Sequence, residues 1–240
     1  MRVVAILQAR MSSTRLPGKV MLELEGDTCL MQQVKRIQHA KKIDQLVIAT
    51  STDISDDIIY DSCIKEGLSC FRGSLTDVLD RYFQAATQYQ ATEVVRLTAD
   101  CPLTSPALID KIITRHIETQ SDYTTNCLPY TFPDGLDVEV VKFDILQHLH
   151  QTAVTQDERE HVCFAIRNQP DKYTIHNLTR KDDISHLRWT LDYWQDLQFV
   201  RQIYRHLYKK NEFFDIDEIL QLLKSHPELL AINKKYVATN

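Results

Sequence analysis

The sequence predicts an α/β fold of three layers, with helices on both faces of a mostly parallel, mixed sheet. Three observations carry this. Short, nearly unbroken apolar runs read as strands buried on both faces, and segments of helical period alternate with them. The chain has 240 residues, 43% hydrophobic and 25% charged, enough to build one large core.

In chain order, residues 3–8 (VVAILQ) predict the first buried strand and residues 29–40 a helix with Leu30, Val34 and Ile37 on one face. Residues 45–50 read as a strand, 56–67 as a helix closed by Gly67, and 68–73 as a short strand. A helix over 77–89, a strand over 93–99 and a helix over 106–118, opened by Ser105 and Pro106, continue the alternation. Strands joined through helices imply right-handed crossovers and parallel pairing. The rhythm then breaks. Residues 122–126 and 136–141 read as strands of antiparallel or mixed pairing around LPYTFPDG, followed by a helix over 154–169. Strands over 173–178 and 186–192 and helices over 195–208 and 215–226 complete the reading. No linker, repeat or low-complexity stretch divides the chain, so a single domain over 1–240 is expected, with a C-terminal helical segment from about 209 to 240.

The net charge of -5 argues against a general nucleic-acid binder, which would spread positive charge over a face. No apolar run reaches membrane-spanning length, and the first lacks the length and cleavage pattern of a signal peptide. A cytoplasmic protein is expected. Its six dispersed cysteines form no CxxC pair and read as reduced, buried apolar groups.

The stretch ILQARMSSTRLPGKVM, residues 6–21, concentrates Arg10, Arg15 and Lys19 with Ser12, Ser13 and Thr14 directly after the first strand. Ligands of open parallel sheets settle beyond the carboxyl ends of the strands. Cations and hydroxyls on such a loop suit a phosphate chain, although a solvated loop paired with surface acids has the same composition. It is neither a P-loop nor a GxGxxG fingerprint. Asp100, ending the strand 93–99, either holds a cation against a polyphosphate or caps the turn before Pro102. Asp192, just before the following helix, reads as its cap, though the cap position fits imperfectly. Asp137 and Glu139 alternate, so they share one face of their strand. His161 reads as a structural histidine or a general base.

The loop QARMSSTRLPGK, with FRGSLTDVLDRY, RLTADCPL, PDGLDVEV, EREHV and SHLRWTLD in that order, resembles the sugar-activating cytidylyltransferases. This family includes the CMP-Kdo and CMP-sialate synthetases and a branch named for the spore coat polysaccharide biosynthesis protein F, which the motifs resemble most. The resemblance implies a Rossmann-like nucleotide-diphospho-sugar transferase fold. It implies transfer of CMP from CTP to a sugar acid of the Kdo or nonulosonate type, for surface polysaccharide, with Mg²⁺ as cofactor and a homodimer as assembly. By the same resemblance Arg15, Lys19 and Asp100 are catalytic and Asp100 and Asp192 ligate the metal. Leu7, Gln8, Ala9, Arg10, Ser12, Ser13, Arg15, Lys19, Thr50, Arg72, Asp77 and Arg81 would surround the nucleotide, with Asp137, Glu139, His186 and Arg188 toward the acceptor. A nucleotide-sugar-dependent glycosyltransferase and a non-catalytic nucleotide-binding module are the alternatives.

Overall fold

A computed structural model describes residues 1–236. Strand β1 (Val3–Gln8) alternates its side chains between two cores, Val3, Ala5 and Leu7 on one face and Val4 and Ile6 on the other. A loop and a single helical turn at Lys19–Met21 lead to a two-stranded ribbon, β2 (Glu23–Leu24) and β3 (Asp27–Thr28), which the sequence pattern does not reveal. Helix α1 (Cys29–Gln38) starts on Thr28, whose hydroxyl accepts from Met31 N at 3.1 Å. Then follow β4 (Gln45–Ser51), α2 (Asp57–Lys65), β5 (Ser69–Gly73), α3 (Val78–Gln88) and β6 (Glu93–Thr98). Helix α4 (Pro106–Thr119) is capped by Ser105, which accepts from Leu108 N at 3.0 Å, with Pro106 in the first turn.

Beyond α4 come β7 (Tyr123–Thr125) and β8 (Glu139–Lys142), then α5 (Phe143–Thr152), α6 (Gln156–Glu160), α7 (Phe164–Asn168) and β9 (Ile175–Asn177). Helices α8 (Trp194–Leu207) and α9 (Ile216–Ser225) and two short helical turns end the described chain. The last four residues of the expected C-terminal helical segment lie outside the described residues.

The main sheet has the order β5-β4-β1-β6-β8-β7-β9, and only β8 runs against the others. This is the mixed, mostly parallel sheet that the sequence predicts. Helices α1, α2, α4, α8 and α9 bury their apolar faces in one core, while α3, α5 and α7 fill the other. Among the described residues no helix is long and apolar enough to cross a membrane.

Two predicted elements differ and one helix is unforeseen. Residues 186–192 form no strand: they run extended with one bridge, Asp134 to Arg188, because Arg188 and Asp192 are held by side-chain ion pairs. The helix predicted over 154–169 is two short helices, interrupted at His161, whose φ of -108° and ψ of 68° leave the helical region. Helix α5 has no counterpart in the prediction, since it starts directly on the end of β8 with no turn residue between them.

Candidate active site

The carboxyl ends of β1, β4, β5 and β6 lie at one edge of the sheet, and the antiparallel β8 brings its first residue there, with Glu139 opposite Arg96. The loop after β1 is pinned at Met11. Its N–H donates to the buried Asp56 Oδ1 at 2.7 Å, and its carbonyl accepts from Ser13 N and Gly18 N, both at 2.9 Å. Gly18 has a φ of 69°, a left-handed conformation that reverses the chain immediately before Lys19. The N–H groups of Ser12, Thr14 and Arg15 have no protein acceptor among the described residues, and Thr14 and Arg15 line the site.

Lys19 is buried, and its Nζ donates to Asp100 Oδ2 at 2.9 Å and Asp192 Oδ1 at 3.0 Å. Arg15 Nη2 reaches the same Asp192 oxygen at 2.8 Å, from a side chain that is half exposed. Burial pulls the Lys19 pKa down, but Asp100 and Asp192 together hold it above the ordinary value. Burial likewise works against ionised Asp100, and the Lys19 ammonium overcomes it, so this carboxyl lies below its usual range. These groups line a cavity of about 160 Å³ together with Gln8, Ala9, Arg10, Ser13 and Thr98.

Asp192 reaches this point by a relay. Gly135, with φ 105°, lets the chain pass residues 189–190 at a distance no side chain would allow: a Cβ there would lie 2.4 Å from Thr190 N. Trp189 N then donates to Asp134 O at 2.7 Å, and Leu191 N donates to Asp100 O at 2.7 Å. Arg188 is drawn into the same knot by Asp134 (2.7 Å), Asp192 (3.0 Å) and Asp196 (3.1 Å). Asp196 Oδ2 also accepts from Asp192 N (3.0 Å) and Tyr193 N (2.9 Å), taking over the start of α8 and leaving the Asp192 side chain to the cavity. Asn233 donates to the other Asp196 oxygen at 3.0 Å.

The remaining expected nucleotide residues divide. Leu7 is fully buried in the core. Gln8 Oε1, Thr50 Oγ1 and Arg81 Nε are buried polar atoms with no partner, as expected of groups that a ligand completes. Arg81 is almost fully buried, donates to Ser74 O at 2.7 Å and has no carboxylate in ion-pair distance among the described residues. Ser12 stays on the loop's outer part, half-exposed Arg72 is engaged with Ser51 O (2.8 Å) and Asp57 (2.7 Å), and Asp77 caps α3 through Asp80 N at 2.9 Å.

The expected acceptor residues are not brought to one place. Exposed His186 lines a different, largely apolar cavity with Pro227 and Leu230, and Arg188 is consumed by three aspartates. Glu139 is buried and gripped by Arg96, Arg167 and the Tyr123 hydroxyl. Burial alone would raise its pKa, but the two guanidinium groups lower it to about 2. Asp137 lines a second cavity, of about 380 Å³, with Arg96, Thr98, His161, Phe164 and Arg167. Burial first, then the fields of Asp134 and Glu139, push its carboxyl up to about 6. Sequence reasoning missed Arg96, Arg167, Asp134 and Asp196. A charge interrupting the apolar run of β6 is the one visible signal for Arg96.

Asp100 and Asp192 converge on a single cation, Lys19 Nζ. Among the described residues no three metal-ligating side chains of the His, Cys, Asp or Glu type gather. Two hard carboxylates fit Mg²⁺, which commonly takes one or two from a protein and the rest from phosphate and water.

The sheet order and this edge cluster of cations and carboxylates define the class, a three-layer α/β protein with a charged cavity at the carboxyl ends of its strands. The chain belongs to the cytidylyltransferase family, whose profile matches residues 4–231. It is 35% identical over 235 residues to the spore coat polysaccharide biosynthesis protein SpsF of Bacillus subtilis, covering 94% of this chain and 95% of that one. A cytidylyltransferase from Leptospira borgpetersenii superposes with a TM-score of 0.92 at 30% identity, over 96% of this chain and 97% of that one. A CMP:2-keto-3-deoxy-manno-octonic acid synthetase solved with CTP shares the fold, with a TM-score of 0.66 at 15% identity over 86% of this chain and 99% of that one.

Proposed function

We propose that this protein transfers CMP from CTP to a hydroxyl of a sugar acid of the Kdo or nonulosonate type, with release of pyrophosphate and with Mg²⁺ as cofactor. The observation that supports it most is the Lys19 ammonium held between Asp100 and Asp192 inside the loop cavity. Arg10, Arg15 and Lys19 bind and neutralise the triphosphate, and the free N–H groups of Ser12 and Thr14 add donors. Nucleotidyl transfer needs little covalent help from a protein. Positioning and compensation of the charge growing on the departing pyrophosphate supply the acceleration, and Lys19 and Arg15 are the groups for it. Asp100 and Asp192 would hold Mg²⁺, which when bound polarises the phosphoryl oxygens. Half-buried Gln8 and buried Arg81 face the nucleotide. A cytoplasmic homodimer serving surface polysaccharide assembly belongs to the same reading; the name of the SpsF relative supports the polysaccharide role.

Incubation with CTP, Mg²⁺ and a panel of sugar acids, with pyrophosphate measured, tests the proposal. Acceptor-dependent pyrophosphate is expected. Transfer from a sugar nucleotide without pyrophosphate would establish a glycosyltransferase instead, and binding without any turnover a nucleotide-sensing module.

A further inference from the structure

The second cavity meets the loop cavity at Thr98, the residue common to both linings. It holds two buried polar atoms without partners, Asp137 Oδ1 and Arg96 Nε, one an acceptor and the other a donor. Arg96 and Arg167 supply two positive charges there, which Glu139 and ionised Asp137 offset. The unpartnered Arg96 Nε is a donor suited to a carboxylate, and the unpartnered Asp137 Oδ1 is an acceptor suited to a hydroxyl. Asp137 is the only acidic side chain of the lining, and its other oxygen is already held by the Tyr130 hydroxyl at 3.2 Å.

We propose that this cavity seats the acceptor, its carboxylate toward Arg96 and Arg167, and that Asp137 Oδ1 is the proton acceptor for the attacking hydroxyl. The inference rests on the nucleotidyl-transfer reading above. In the step, Asp137 takes the hydroxyl proton and the hydroxyl oxygen forms a bond to the α-phosphorus of CTP. The bond from that phosphorus to the oxygen bridging to the β-phosphate breaks, and pyrophosphate leaves with the electron pair. Asp137 then returns the proton to solvent.

A base has to be ionised at the working pH yet basic enough to accept a proton, and a carboxyl raised to about 6 meets both demands. Burial sets this value first, then Asp134 and Glu139 through their fields, against Tyr130 and Cys127 in contact, while Arg96, His161 and Arg167 face Asp137 across the cavity. Glu139, already down at about 2, does not titrate in the same range.

The experiment compares the full chain with Asp137→Asn and Tyr130→Phe. It measures pyrophosphate release from Mg²⁺ and CTP with Kdo or N-acetylneuraminate as acceptor between pH 5 and 9, alongside the CTP-induced rise in melting temperature. For the wild type, kcat is expected to fall as pH drops through about 6. Asp137→Asn should keep its CTP-induced melting shift, lose about 10²–10⁴-fold in kcat and lose that acidic limb. Tyr130→Phe removes a hydrogen bond that favours the ionised carboxylate, so its acidic limb should move to higher pH. Wild-type turnover matched within twofold by Asp137→Asn, or an unmoved limb in Tyr130→Phe, would overturn the role of Asp137 alone. A wild type that binds CTP but releases no pyrophosphate with either acceptor would overturn the transfer reading and this inference together.

Discussion

Lys19 is the residue on which the charges of the edge cluster depend. With its ammonium between Asp100 and Asp192, the carboxylates meet a cation instead of each other. Lys19→Met should cut pyrophosphate release by about 10²–10³-fold, the loss expected when one preorganised charge facing the transition state is removed. Glu139 is the second such residue, with the opposite sign. Its carboxylate neutralises Arg96 and Arg167 from a buried position, so Glu139→Gln leaves two guanidinium groups uncompensated and should cost about 3 kcal/mol, read from urea unfolding. Its folded pKa, about 2, lies below the unfolded carboxylate value of about 4.3. The stabilisation is therefore complete above that unfolded value and disappears as pH falls toward 2. Acid unfolding of the wild type should steepen in this window, and in Glu139→Gln it should not.

At the scale of elements, the parallel half of the sheet was legible because each strand is a short apolar run and each following helix has a capping residue where one is needed, as at Thr28 and Ser105. The segment 186–192 was misread because Leu187, Trp189 and Leu191 alternate like a half-buried strand and are indeed buried. What holds it, however, is the ion pairing of Arg188 with Asp134, Asp192 and Asp196 and backbone bonds to Asp100 and Asp134, and no strand pattern reports these. The same limitation applied to the acceptor residues. Alternation places Asp137 and Glu139 on one face of a strand, but Asp137 lies before β8, and the guanidinium groups that close around Glu139 come from β6 and α7. The loop after β1 was readable because its cations and hydroxyls are contiguous. The clearest test of an element-scale contact is Gly135. Gly135→Ala sets a methyl group against the backbone of Thr190 at a φ of 105°, and should destabilise by at least about 2 kcal/mol in urea unfolding while weakening CTP binding through displaced Asp192.

At the scale of the molecule, nucleotide binding adds a ligand to the folded state only. At a CTP concentration 100-fold above its dissociation constant, that is worth about 2.7 kcal/mol, or a rise of about 5–10 °C in melting temperature for a chain of this size. Differential scanning fluorimetry should show this rise with CTP and Mg²⁺, and smaller ones with UTP, ATP and GTP. The residues that build the site are scattered from the loop at Arg10 through Asp100 to the clasp of Arg188, Asp192 and Asp196, which Asn233 closes. A ribosome emits these parts in that order. The strands β1, β4, β5 and β6 can pair while synthesis is still under way, but the backbone of Asp192 lacks its bond to Asp196 until α8 has left the exit tunnel, and Asn233 closes that clasp later still. A nascent chain stalled before that point therefore carries the sheet and the loop without a finished site, and competence for nucleotide arrives with α8 and Asn233 instead of growing strand by strand.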